Sequence, residues 1–126
     1  MADHRIQLRK AWEELFQDQP TLPPNRIDLP LERPRPTGFH RFRRSFQKPA
    51  IELESESLFI ELGSVPGLCT VTLNGKPVWT GRSEASVPLR LPWPPEESRR
   101  VMLILEAEGE LPPGWGQVTL LIEGER

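Results

Sequence analysis

The chain has 126 residues, which gives room for one domain around one core. Hydrophobic residues make up 37% and charged residues 27%, and aliphatic strands recur through the second half, so the chain as a whole does not read as disordered, although a disordered tail stays one reading of residues 19–36. A net charge of −2 argues against nucleic acid as the main partner, and 15 prolines argue against a helical bundle.

Cys69 is the only cysteine, so neither an intrachain disulfide nor a cysteine-based metal site is expected. The opening Met1-Ala2-Asp3-His4-Arg5 is charged and lacks the apolar run of a signal peptide. No apolar run reaches membrane-spanning length, so the expectation is a soluble cytoplasmic protein with no membrane partner. The halves differ in charge. Residues 1–50 hold ten Lys/Arg against six Asp/Glu, and residues 51–126 hold six against twelve. The basic half is expected to pair with the acidic one.

Along the chain, Ile6, Leu8, Lys10 and Trp12 alternate with their neighbours and read as a first strand. Leu8, Trp12, Leu15 and Phe16 also fall at helical spacing, so strand and helix both stay open here. Residues 19–36 carry six prolines, which neither a helix nor a central strand tolerates. We expect an extended strap across the surface, anchored by Leu22, Ile27, Leu29 and Leu31. Phe39 to Phe46 reads as a strand with Phe42 and Phe46 on one face and Arg41 and Arg43 on the other. Phe39, Phe42 and Phe46 are all expected in the core.

Leu58, Ile60 and Leu62 form the next strand, up to the break at Gly63-Ser64-Val65-Pro66-Gly67. Cys69, Val71 and Leu73 then put an apolar face on a strand that runs into Asn74-Gly75. Asn-Gly between two alternating apolar runs is the strongest short-range hairpin signal, because both residues accept the positive φ of a type I′ turn. The return arm contains Pro77, which donates no hydrogen bond, so that arm is expected at a sheet edge. Val87, Leu89 and Leu91 make a short strand between prolines. Val101–Ala107 is apolar on both faces and is expected to be central, and Val118, Leu120 and Ile122 close the chain. Seven or eight short strands describe an all-β antiparallel β-sandwich.

These elements together resemble a known family. Leu58–Gly63, then Gly67 followed by Val71-x-Leu73-Asn74-Gly75-Lys76-x-Val78, then Val101–Leu105, are similar to the N-terminal sugar-binding domain of family 2 glycoside hydrolases. Phe42–Pro49 fits that family's aromatic and basic strand, Ile6–Trp12 its opening strand and Trp115–Leu120 its closing one. One element departs: Glu97-Ser98-Arg99-Arg100 stands where a Gly-Asn turn usually precedes the late strand. The resemblance implies a jelly-roll, galactose-binding-like fold, with sugar binding as a possible activity. It does not imply catalysis, because that family's catalytic carboxylates lie on a separate barrel domain.

The residues agree that the chain is not an enzyme. Glu52, Glu54 and Glu56 share one strand face, where they repel one another and protect an edge, whereas glycosidase chemistry needs two carboxyls opposed across a cleft. His4 and His40 lack the spacing of a metal site, and no nucleophile elbow or phosphate loop is present, so no cofactor or metal is expected. Arg33, Arg35, Arg41, Arg43, Arg44 and Lys48 form a basic stretch, read as either a solvated face or a grip for an acidic partner. Trp12 and Trp79 lie in strands and are expected in the core. Trp93 and Trp115 lie in Pro/Gly loops, as lids over the core or as platforms for a sugar ring. Two functions follow. One is a protein-interaction or scaffold domain that uses the strap and the charge asymmetry. The other is a carbohydrate-binding module with Trp93 and Trp115 stacking and Arg82 and Glu84 supplying hydrogen bonds.

Overall fold

The computed structural model describes residues 4–16, 21–51, 55–83, 88–94 and 99–124. They form ten strands and no helix, so no helix is long and apolar enough to cross a membrane. The strands are β1 (His4–Gln7), β2 (Trp12–Leu15), β3 (Asn25–Ile27), β4 (Phe39–Gln47), β5 (Glu56–Gly63), β6 (Leu68–Leu73), β7 (Lys76–Thr80), β8 (Leu89–Pro92), β9 (Arg100–Glu108) and β10 (Gln117–Gly124). One sheet has the order β1-β10-β5-β8 and the other β3-β2-β4-β9-β6-β7. Every pairing is antiparallel. This is the all-β sandwich of the jelly-roll, galactose-binding-like kind.

The core lies between the sheets. Trp12, Phe42, Val71, Leu73, Leu103 and Leu105 meet Leu58, Ile60, Leu62, Val118, Leu120 and Leu91 from the facing sheet. Period-two alternation delivers these side chains to one face of each strand. β9 lies between β4 and β6, as its two apolar faces require, and β7 with Pro77 lies at an edge.

The opening segment is neither one strand nor a helix. β1 pairs with β10 in the smaller sheet and β2 pairs with β3 and β4 in the larger one. The chain changes sheets between them, with Ala11 at φ 67°. Three carbonyls at this corner accept hydrogen bonds. Trp12 Nε1 donates to Leu8 O at 2.7 Å, Leu29 N to Arg9 O at 2.8 Å, and Arg44 Nε to Lys10 O at 2.7 Å. The apolar alternation runs on through the corner because Leu8 and Trp12 enter the same core from opposite sheets.

In the proline-rich stretch, Leu29 and Leu31 are buried and Ile27 packs against the core, whereas Leu22 is exposed. Residues 25–27 add β3 to the sheet at an edge, where missing donors do least harm. Leu31 N donates to Trp115 O at 2.8 Å, and Arg35 exchanges both backbone hydrogen bonds with Leu111. Glu14 is buried, and both its oxygens accept from Arg35, at 2.8 and 3.1 Å.

The hairpin forms at Asn74 and Gly75, with φ 50° and 83°. Asn74 does more than turn the chain. Its Oδ1 accepts from Met102 N at 2.8 Å and its Nδ2 donates to Arg100 O at 3.2 Å, which ties the turn to β9. Cys69 is not on the apolar face. A bulge between Leu68 and Thr70 shifts the register, so Leu68 takes the buried place and Cys69 is half-buried.

Candidate functional site

Two of the four residues expected to bind sugar, Trp93 and Trp115, lie in the core and not along a cleft. Trp115 is fully buried against Phe42, ring centroids 5.3 Å apart, and its Nε1 donates to Pro66 O at 2.8 Å. Trp93 is buried edge-on against Phe46 at 6.1 Å. Phe42 and Phe46 are four residues apart on β4, about 13 Å along a strand. The two indoles therefore fill separate parts of the core, and neither presents a face to a ligand. Arg82 is exposed beyond the end of β7, and Glu84 lies outside the described residues. Proline and glycine around both tryptophans signal loops correctly. They do not reveal that the loops fold inward, because that depends on the space left between the sheets. Trp79 is only partly buried, at the edge of its sheet.

Half of the basic stretch is neutralised by nearby acids. Arg43 takes Glu13 at 2.9 and 3.0 Å, Arg35 takes Glu14, and Arg41 takes Glu106 at 3.4 Å. Arg44 lies over the Phe46 ring, and burial pushes its pKa below the ordinary arginine value. Glu13 and Glu14 belong to the same half of the sequence as their arginines, so of these pairs only Arg41–Glu106 joins the two halves. Across the smaller sheet, Glu61 pairs with Arg5 and Arg90, and Arg90 also reaches Glu123 at 3.2 Å. His40 Nε2 bonds the carbonyls of Pro36 and Gly109 at 2.9 and 3.0 Å, a structural role. Glu52 and Glu54 lie outside the described residues.

The exposed apolar side chains form a different constellation. Among the described residues, the exposed large hydrophobics are Ile6, Phe16, Leu22 and Phe39. Phe16 directly follows β2, Leu22 shortly precedes β3, and Phe39 opens β4. Because β2 is antiparallel to both β3 and β4, these three positions lie at one end of the larger sheet. Leu15, half-buried and opposite Arg41, borders them on the outer face. Phe16 is 39% exposed, Leu22 47% and Phe39 42%, in contrast to the core and anchor places expected of Phe39 and Leu22. Each sits at or just beyond the end of a strand, where alternation no longer tells core from surface.

The fold defines a class: an all-β antiparallel sandwich of the kind found within beta-glucuronidase and beta-galactosidase chains. Solved structures agree. An FMN-binding beta-glucuronidase from Facaelibacterium prausnitzii L2-6 superposes with a TM-score of 0.76 at 17% identity, over 97% of this chain and 23% of its own. A putative beta-galactosidase from Bacteroides fragilis gives 0.77 at 14%, over 98% of this chain and 24% of its own. The beta-glucuronidase of Ruminococcus gnavus gives 0.69 at 12%, over 97% and 29%. The chain thus spans about a quarter of the length of these enzymes. No family model matches the sequence, and no curated protein does.

Proposed function

We propose that this chain is a non-catalytic interaction domain that docks a protein partner through the end of the larger sheet where β2 finishes and β4 begins. The placement of three exposed apolar side chains, Phe16, Leu22 and Phe39, at one end of the larger sheet carries this reading. Contiguous exposed apolar area is uncommon on soluble monomers and marks contact surfaces, and aromatic side chains are enriched at their centres. The nearby Arg41–Glu106 and Arg43–Glu13 pairs supply a polar rim.

The absence of catalysis is part of the proposal. The acids Glu13, Glu14, Glu61, Glu106 and Glu123 are each engaged by an arginine. A glycosidase needs one carboxyl held protonated and another free across the scissile bond. The alternative of sugar stacking on Trp93 and Trp115, with Arg82 and Glu84, finds no exposed indole to stand on.

The test is cross-linking mass spectrometry on the native chain at its source concentration, beside Phe39→Asp and Leu22→Asp. Partner cross-links should map to residues flanking Phe16, Leu22 and Phe39 and should disappear in both variants. Cross-links that map elsewhere and survive both substitutions would refute the proposed surface.

A further inference from the structure

Among the described residues the two sheets have four edge strands, and three of them are guarded by proline. β7 contains Pro77, β8 ends on Pro92, and β3 follows Pro23-Pro24. β1 has no proline in it or next to it, and all four of its residues are exposed. An edge without such a guard is open to pairing with another strand. We propose that two copies of this chain join here, by antiparallel β1–β1 pairing about a two-fold axis through Ile6.

The backbone sets the geometry. Leu8 N donates to Val118 O at 2.9 Å, in continuation of the β1–β10 register. Alternation along an antiparallel strand then turns the backbone groups of Ile6 towards β10 and those of Arg5 and Gln7 outward. Among the described residues, nothing bonds those outward groups. Arg9 is the next outward-facing residue, and its carbonyl accepts from Leu29 N at 2.8 Å. The strap thus closes the edge at Arg9 and leaves Arg5–Gln7 open.

The open stretch is complementary to itself. With Ile6 opposite the partner's Ile6, Arg5 lies opposite the partner's Gln7 and Gln7 opposite the partner's Arg5. All of these outward backbone groups then exchange hydrogen bonds. Ile6 is 41% exposed and lies opposite Leu120, whose side chain is in the core. It therefore faces the space between the sheets at the edge where the core is uncovered. Two facing Ile6 side chains form a non-hydrogen-bonded pair, where side chains approach most closely, and cover the core from both sides. Charge selects this register. Centring the pairing on Arg5 sets two arginines face to face, and centring it on Gln7 sets Arg5 against Arg9, whose carbonyl the strap already occupies. In the Ile6 register Arg5 meets a neutral glutamine, and its own charge is held by Glu61. An isologous contact uses up the edge and closes at two copies. It is far smaller than the roughly 1,200 Å² of a stable complex, so the dimer is weak, with Kd on the order of 0.1 mM. The contact uses none of Phe16, Leu22 or Phe39, so it stands or falls independently of the protein-docking surface.

The test is sedimentation velocity on the whole chain in a concentration series up to about 1 mM, with amide hydrogen exchange alongside. Monomer should give way to dimer and to nothing larger. Exchange at the Arg5 and Gln7 amides should slow as concentration rises, while that of Arg26 on edge strand β3 stays constant. Gln7→Pro removes an outward donor and spares the β1–β10 bonds, so it should weaken the dimer about tenfold or more. Gln7→Glu sets an acid opposite Arg5 and should tighten the dimer at least about twofold, whereas Gln7→Arg should weaken it. Gln7 is exposed, and circular dichroism would check that the three variants keep the fold. A chain that stays monomeric throughout the series would overturn the proposal. So would a dimer of unchanged affinity in Gln7→Pro, or one that Phe39→Asp abolishes while all three Gln7 variants leave it intact.

Discussion

At the residue scale, two glycines with the same φ make opposite demands on space. Gly67 and Gly75 have φ 82° and 83°, a region where a Cβ is strained. A Cβ on Gly75 would meet nothing within 4 Å, whereas one on Gly67 would lie 2.4 Å from the Glu108 carbonyl oxygen. Gly75→Ala should cost only the conformational term, about 1–2 kcal/mol. Gly67→Ala should cost about 3 kcal/mol or more, because backbone must move as well. Urea denaturation of the two variants checks the difference. Cys69 gives a second residue-scale prediction. Burial, then the charges of Glu108 and Glu106, push its thiol pKa up, against smaller downward pulls from Arg82 and the Thr70 backbone. The folded thiol holds its proton more tightly than the unfolded one. Its stabilising contribution is therefore complete below the ordinary thiol value and is lost as pH rises from there through the raised folded value. Alkylation by iodoacetamide should be slower than for a free thiol at the same pH, and Cys69→Ala should flatten stability across that window. Equal alkylation rates for the folded chain and a cysteine peptide would contradict the assignment.

At the element scale, Asn74 ties down the hairpin and the Glu14–Arg35 pair helps to hold the strap. Asn74 supplies the positive-φ turn position and two side-chain hydrogen bonds to β9. Asn74→Ala should therefore cost about 2–3 kcal/mol, more than a turn preference alone. A loss below about 1 kcal/mol in denaturant titration would mean that those bonds are replaced by water without penalty. The strap depends on Glu14 and Arg35. Arg35→Leu leaves a buried carboxylate unpaired and should cost about 2 kcal/mol, discounted because Arg35 reaches solvent. Adding Glu14→Met should recover most of that loss, since the stranded charge is then gone. A double-mutant cycle measures the coupling directly. The elements also differ in how far their sequences betray them. The hairpin is legible because Asn-Gly has few conformations between two strands. β3 is not, because three residues among prolines carry no periodicity, and only the neighbouring β2 edge makes them a strand.

At the scale of the whole molecule, the sheets are joined by a chain that changes sides at Lys10 and Ala11 and by loops that insert Trp93 and Trp115 between them. We expect the described strands to unfold as one cooperative unit. Trp12 is fully buried and bonds across the corner to Leu8, so Trp12→Ala should cost about 3–5 kcal/mol and lower the midpoint of every probe together. Far-UV dichroism and tryptophan fluorescence melting at separate temperatures would argue for sheets of independent stability.

The sequence by itself determined the sandwich class, the bend at Asn74-Gly75, the edge place of the Pro77 arm and the central place of Val101–Ala107. In each case the cause is local: period-two alternation, a dipeptide tolerant of positive φ, a missing donor. Only the tertiary structure decided that the opening run divides between sheets, that Trp93 and Trp115 turn inward, that Phe39 and Leu22 turn outward, and which acid each arginine takes. Those outcomes depend on how much space the packed sheets leave and on which charges arrive side by side, and neither is written in the neighbours along the chain.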